Sequence, residues 1–171
     1  MKIGITGSRY GMTEKQTVVL GHMFQAFEGL FDPVIIGHGD CVGVDAQAHD
    51  LAVSLGYRTE VFPPLEEISR AWKQGDILHA PEGYLKRDRA IVEWCDVLFG
   101  LPNKDTEIFR SGTWYTIRYG LKEQERRSVE IEEREIEMDV CVIQPAGLMI
   151  SNSEINDLLL SGKWGENGGP S

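Results

Sequence analysis

The sequence predicts an α/β fold, with a parallel sheet of about five strands and helices on both faces. Three observations carry this. Short apolar runs, "KIGIT", "PVIIG", "RTEVFPP", "DVLFGLP" and "DVCVIQP", alternate with stretches of helical period, and strands alternating with helices make βαβ units. Glycine-bearing turns adjoin the first, second and fourth runs, at the carboxyl ends where such sheets bind their ligands. At 171 residues the chain has the length of one domain, enough to bury most of its apolar surface in one core.

Each element has a local reason. The run Lys2–Thr6 is cut by "GSRYG". A helix follows from Thr13, with Val18, Val19, Met23, Phe24, Ala26 and Phe27 near helical spacing. Thr13 is its N-cap, and Gln16 holds the capping-box position. Pro33–Gly37 is the second strand, and "VDAQAHDLAVSLG" is a helix stopped by Gly56. Arg58–Pro64 is the third strand, ended by its two prolines. Between 65 and 83, Ile68–Asp76 reads as a short helical turn and "HAPEGY" as loop. Leu85–Cys95 reads as a helix, Asp96–Pro102 as the fourth strand, and Ser111–Lys122 as a helix opening at Ser111 and Gly112. "VEIEEREIEM", from Val129, alternates weakly and reads as an exposed strand or hairpin arm; Asp139–Pro145 is the last core strand. Residues 1–150 form the expected domain, and 151–171 a helix capped by Asn152 or Ser153 with a mobile Gly- and Pro-rich tail.

Composition narrows the function. A formal charge of −10 argues against extended nucleic acid as a partner, since that needs a basic face; a local basic site remains compatible with it. Cys41, Cys95 and Cys141 are too few and too far apart for a disulfide framework, and the last two lie in apolar runs as core thiols. No run approaches the ~18 apolar residues of a membrane span, and the chain enters a strand directly, so the expectation is a cytoplasmic protein with no membrane partner. His38, Cys41 and His49 match no standard zinc spacing, and neither metal nor cofactor is expected.

The chemistry gathers at three turns: "TGSRYG", "GHGDCVGVD" and "RSGTW". Glycines let backbone amides approach an anion, and a helix N-terminus favours negative charge. Turns at the ends of neighbouring parallel strands would converge on one crevice, with Arg9, Arg87, Arg89 and Arg110 as fixed charge suited to phosphate. Arg87 and Arg89 open a helix, where cations oppose the macrodipole unless an anion offsets them. Asp45 reads equally as an N-cap or a ligand contact. Asp40 either accepts a bond from ribose or closes the turn.

The order of motifs, "GITGSR", "GDCVGVDAQAH", "RDRAIV" before "DVLFGLP", then "RSGTWYTIRYG", resembles the SLOG superfamily of Rossmann-like nucleotide-derivative-binding domains, over about residues 2 to 147. Its DNA-processing protein A (Smf) family carries Ser-Gly-x-Ala-x-Gly-x-Asp-x-x-Ala-His, which Gly39, Gly43, Asp45, Ala48 and His49 match. That family's Arg-Asn-Arg and Ser-Gly-Ser-x-x-Thr are matched by Arg87, Arg89, Ser111, Gly112 and Thr116. In the Lonely Guy phosphoribohydrolases of the same superfamily, Pro-Gly-Gly-x-Gly-Thr-x-x-Glu supplies a glutamate that works with an arginine. Arg87 is the counterpart of that arginine, but Thr116 stands at the glutamate's place. The resemblance therefore implies a Rossmann-like sheet and a bound nucleotide derivative, without the Lonely Guy carboxylate.

The functional expectation is binding of a small nucleotide-derived ligand, an ADP-ribose or NAD-related molecule or a ribonucleotide. The protein would be a sensor, a carrier or a sponge that sequesters a nucleotide signal, for instance one made in antiviral defence. Amides of Gly7, Ser8 and Arg9 and of Ser111, Gly112 and Thr113 would hold phosphate, with Arg9 and Arg87 adding charge. Asp40 or Asp45 would address ribose, and Tyr10 or Trp114 would stack on a base. Gly39, Gly43, Arg89 and Arg110 complete the candidate set, and a homo-oligomer is expected. The alternative is a hydrolase of an N-glycosidic or phosphate bond using Asp40, Asp45 or Glu82.

Overall fold

The structure, a computed structural model, describes residues 1–130, 139–151 and 154–155. In chain order it runs β1 (Lys2–Gly7), α1 (Glu14–Glu28), β2 (Ile35–His38), α2 (Val44–Ser54), β3 (Arg58–Val61), β4 (Ile77–Leu78), α3 (Tyr84–Trp94), β5 (Val97–Leu101), α4 (Gly112–Glu130), β6 (Asp139–Ile143) and β7 (Met149–Ile150). One 3-10 turn, Glu67–Ser69, interrupts the segment between β3 and β4. The strands form a single sheet in the order β4-β3-β2-β1-β5-β6-β7, parallel throughout except for β7 against β6. This is the expected Rossmann-like architecture. The five expected strands are the five long ones; β4 and β7, two residues each, are too short to show periodicity.

Central β5 is buried along its whole length, as a strand covered on both faces must be. Val97, Phe99 and Leu101 pack with Leu20 and Phe24 of α1 and Ala48 and Ala52 of α2. Leu98, on the other face, joins Ile91 and Val92 of α3 and Trp114 and Ile117 of α4. Each such large side chain contributes about 1.5–3 kcal/mol on burial.

The helices are held in place by polar contacts that the sequence partly announced. Thr13 Oγ1 accepts from Gln16 N at 3.1 Å, and Gln16 Oε1 accepts from Thr13 N at 2.9 Å, closing the capping box. The fully buried Gln16 amide also donates to Pro102 O and Ile143 O, fastening α1 over the ends of β5 and β6. Helix α4 is longer than its pattern suggested and takes in Val129 and Glu130, the start of the segment read as a strand arm. Residues 131–138, the rest of that arm, lie outside the described residues. Near its end, Arg127 donates to Cys95 O and Glu93 O at 2.9 Å, satisfying carbonyls that the end of α3 leaves open. Of the expected terminal helix, Glu154 and Ile155 are helical, and Ile155 is buried; its remainder and the tail lie outside the described residues. Among the described residues no helix is long and apolar enough to cross a membrane.

The chain order turns between β1 and β5: successive strands spread from β1 towards β4 on one side, and from β5 towards β7 on the other. In an open parallel sheet this is where a crevice forms.

Candidate functional site

A cavity of about 530 Å³ occupies that crevice. The β1–α1 loop lines it with Gly7, Ser8, Arg9 and Tyr10, and the β5–α4 loop with Asn103, Ile108, Arg110, Ser111, Gly112 and Thr113. Cys41, Val42, Ser69 and Tyr84 close the remaining wall. None of these lining residues is acidic, in a chain with 27 carboxylate side chains.

The donors differ between the two loops. In the β1–α1 loop, Ser8 N already donates to Leu101 O at 3.1 Å and Tyr10 N to Ser8 Oγ at 3.1 Å. Of the expected amides Gly7 to Arg9, that of Ser8 is therefore taken within the fold, and the charge of this loop comes from Arg9. Tyr10, 77% exposed, stands at the rim with Arg9 beside its ring. In the β5–α4 loop the expected Ser111 amide is likewise taken, donating to Ile108 O at 3.0 Å, and Trp114 N donates to Ser111 Oγ at 3.4 Å; Gly112 and Thr113 open a 19-residue helix at the cavity. The first amides of a helix have no acceptor within it, and its N-terminus carries positive partial charge. Arg110 reaches the cavity from a loop tied down by Arg118, which pairs with Glu107 and donates to Phe109 O. Among the described residues no carboxylate pairs with Arg9 or Arg110; every carboxylate-paired arginine lies elsewhere.

The β2–α2 turn lies below this surface and turns its charges inward. Gly43, at φ 94°, is the N-cap of α2. A Cβ there would lie 2.5 Å from Ser8 O and from Arg9 C, because the turn packs directly on the first loop. Val44 N donates to Ser8 O at 3.0 Å, so the start of α2 supports the β1–α1 loop and is covered by it. Asp45 lies two residues past the N-cap, too late to cap. Its Oδ2 instead accepts from Cys41 N at 3.1 Å and stands 3.6 Å from Arg87 Nη1. Arg87 donates to Gly39 O at 2.8 Å, and its Nε lies 3.1 Å from Asp88 Oδ1. Burial pushes the Asp45 carboxyl up to about 6 against the pull of Arg87, and raises Asp88 likewise. The result is a buried brace of one guanidinium between two carboxyls.

Asp40 is also inside, 0% exposed and at φ 56°. Arg70 Nε and Lys73 N each donate to its carboxylate at 2.8 Å. His38 and His49 hydrogen-bond to each other at 2.9 Å. Asp40 N donates to His38 Nδ1, which leaves the proton on His38 Nε2; burial holds this imidazole down to about 3.

Of the sequence-derived candidates, the structure brings together Gly7, Ser8, Arg9, Tyr10, Arg110, Ser111, Gly112 and Thr113 at the cavity. Gly39, Asp40, Gly43, Asp45 and Arg87 lie beneath it as described. Arg89 projects from the outside of α3, where it donates to Tyr115 Oη at 2.9 Å. Trp114 is 1% exposed and packs in the core under α4, because it follows the cavity residues by one helical step. Thr116, at the place of the Lonely Guy glutamate, bonds back to Gly112 O at 2.9 Å. Sequence reasoning missed Cys41, Val42, Ser69, Tyr84, Asn103 and Ile108. Cys41 and Val42 sit inside the motif "GHGDCVGVD"; Ser69 falls in the stretch read as a helical turn over Ile68–Asp76, of which the structure keeps only the 3-10 turn Glu67–Ser69, the rest running as a strap with no helix.

No protein-family model matches the sequence, and no curated protein matches it significantly. Solved structures show the fold. The molybdenum cofactor binding protein of the phototrophic bacterium Rippkaea orientalis aligns over 94% of this chain and 82% of its own, with a TM-score of 0.61 and 19% identity. DNA processing protein A from Helicobacter pylori aligns over 95% and 73%, with a TM-score of 0.58 and 18% identity. The same protein from Streptococcus pneumoniae aligns over 71% and 47%, at 0.51 and 19%. At these identities the likeness is one of fold, the Rossmann-like α/β architecture that the sequence implied.

Proposed function

We propose that the protein binds a small phosphate-bearing ligand, a nucleotide derivative, in the cavity between β1 and β5, and holds it without turning it over. The observation that carries this is the charge of the lining: two arginines, the opening turn of α4 and no carboxylate, in a molecule of net charge −10. Arginine forks and first-turn amides are donors matched to phosphate oxygens. Ser8, Ser111, Thr113 and Asn103 add neutral donors, and Tyr10 and Tyr84 offer ring faces to a planar group.

The three carboxylates that a hydrolase would have recruited support the same reading. Asp40 and Asp45 are engaged below the cavity, and Glu82 pairs with Lys86 at 2.8 Å. Cleaving an N-glycosidic bond calls for a carboxylate near the sugar carbon. A sensor, a carrier or a sponge for a nucleotide signal fits this lining. So does the cargo class named for the Rippkaea orientalis protein, the molybdenum cofactor.

Native mass spectrometry of the purified protein tests the reading. A co-purifying phosphorus-containing molecule, recovered intact after hours with excess protein, is the expected result. Release of free base or ribose phosphate would make the protein an enzyme instead.

A further inference from the structure

Residues 65 to 76, between β3 and β4, lie across the β2–α2 turn, and none of them is buried. Ile68 is 95% exposed. Apolar packing therefore cannot set where this strap lies, yet it supplies Ser69 to the cavity wall. Its ends are tied by Leu65 N to Glu82 O and by Asp76 to Thr59, and the Lys73 ammonium pairs with Asp50; its middle is held by a set of hydrogen bonds centred on one buried residue. Asp40 Oδ2 accepts from Arg70 Nε, its Oδ1 accepts from Lys73 N, and its backbone carbonyl accepts from Ala71 N at 2.7 Å. Beside these, Val42 N donates to Ser69 O at 2.9 Å, and Cys41 and Arg70 form an isolated antiparallel bridge. The Arg70 guanidinium also lies 3.9 Å over the Trp72 ring, and Trp72 itself takes φ 58°. Asp40 keeps its own conformation through its N–H bond to His38 Nδ1.

We propose that Asp40 is a positioning residue: it touches no ligand, and by clamping Arg70 and Lys73 it holds the strap whose Ser69 completes, beside Cys41 and Val42, one wall of the cavity. That this wall faces a ligand rests on the function proposed above; the clamp itself does not. A carboxylate that is 0% exposed is closed to ribose, and the charge of the guanidinium makes the Arg70 bond the stronger of the two. Losing the charge while keeping the shape, as in Asp40→Asn, should release the strap and raise the access of reagents to Cys41, which is half-buried beside it.

The test is the rate at which iodoacetamide alkylates Cys41, followed by peptide mass spectrometry in wild type, Asp40→Asn, Arg70→Gln and the double variant. Cys95, fully buried, reports global opening in the same samples. Each single variant should speed Cys41 alkylation about 10- to 100-fold, the loss of a hydrogen bond to a charged group, with Cys95 unchanged. The double variant should be no faster than the faster single. Amide exchange at Val42 should accelerate in the same three variants. An unchanged Cys41 rate, multiplicative effects, or Cys95 labelling that rises in step would each overturn the clamp. If Asp40→Asn fails to fold, Arg70→Gln, altered at the strap side, decides alone. Protection of Cys41 by ADP-ribose in wild type tests the ligand reading separately, so failure of one leaves the other standing.

Discussion

The β2–α2 turn and the β5–α4 loop both sit at the carboxyl edge of one parallel sheet, and both carry glycine beside charge. In the first, every charged group has a partner within the fold: Asp40 with Arg70, Asp45 and Asp88 with Arg87. In the second, Arg110 and the first turn of α4 face open space. The difference follows from position in the sheet. The β5–α4 loop opens at the switch point, where nothing crosses above it. The β2–α2 turn is one strand removed, and the Ser8–Arg9 backbone packs over its helix start. The same local motif thus stands open to a cavity in one place and braces the fold in the other.

Substitutions can break this comparison at either end. The largest effect is expected at Gly43→Val, where a forced φ of 94° and contact with Ser8 and Arg9 cost about 1–3 kcal/mol each, as strain and overpacking. Urea unfolding checks this, and wild-type stability in the variant would reduce the turn to a connector.

Next comes Arg87→Met, which leaves two buried carboxyls without their cation, a loss of about 3–5 kcal/mol at neutral pH. Asp45 is raised from 3.8 to about 6, so its contribution is present below about 4 and lost as pH rises through 6. Without Arg87 that loss deepens. The deficit of Arg87→Met against wild type should therefore be greatest above pH 6 and shrink as pH falls towards 4.5. His38 acts in the opposite sense: held neutral in the fold, it costs stability as pH falls below 6.5. It does so in both proteins, and unfolding midpoints compared pairwise cancel it.

Arg110→Ala should leave stability within about 0.5 kcal/mol of wild type. It should weaken a phosphate-bearing ligand by roughly 1.5–3 kcal/mol. Thr13→Ala sets the lower bound of the series: loss of the cap costs about 1 kcal/mol of stability, with ligand affinity unchanged.

What the sequence showed, and what it hid, divides along the same line. Thr13 and Gln16 were legible because a capping box is a local pattern with one geometric solution. The five long strands were legible from their apolar runs, and Arg9, Arg110 and Ser111–Thr113 from their place between strand and helix. Arg87 and Asp45 looked like ligand groups because residue type and spacing are the same for a buried pair as for an open site. Only the depth of the β2–α2 turn beneath Ser8 and Arg9 separates the two cases, and depth has no one-dimensional signature. Ser69 was hidden for a different reason: its strap is placed by Asp40, about thirty residues earlier, and not by any periodicity of its own.

The most direct test of the division between donor and brace is calorimetric titration of matched ligands, ADP-ribose, NAD, AMP and molybdenum cofactor against phosphate-free adenosine, into wild type, Arg9→Ala and Arg110→Ala. The account expects at least one phosphate-bearing ligand to bind at a single site, adenosine not to bind, and both variants to bind at least about tenfold more weakly with unchanged melting temperatures. A panel in which no phosphate-bearing member binds, or in which the bound member is indifferent to both arginines, would contradict it.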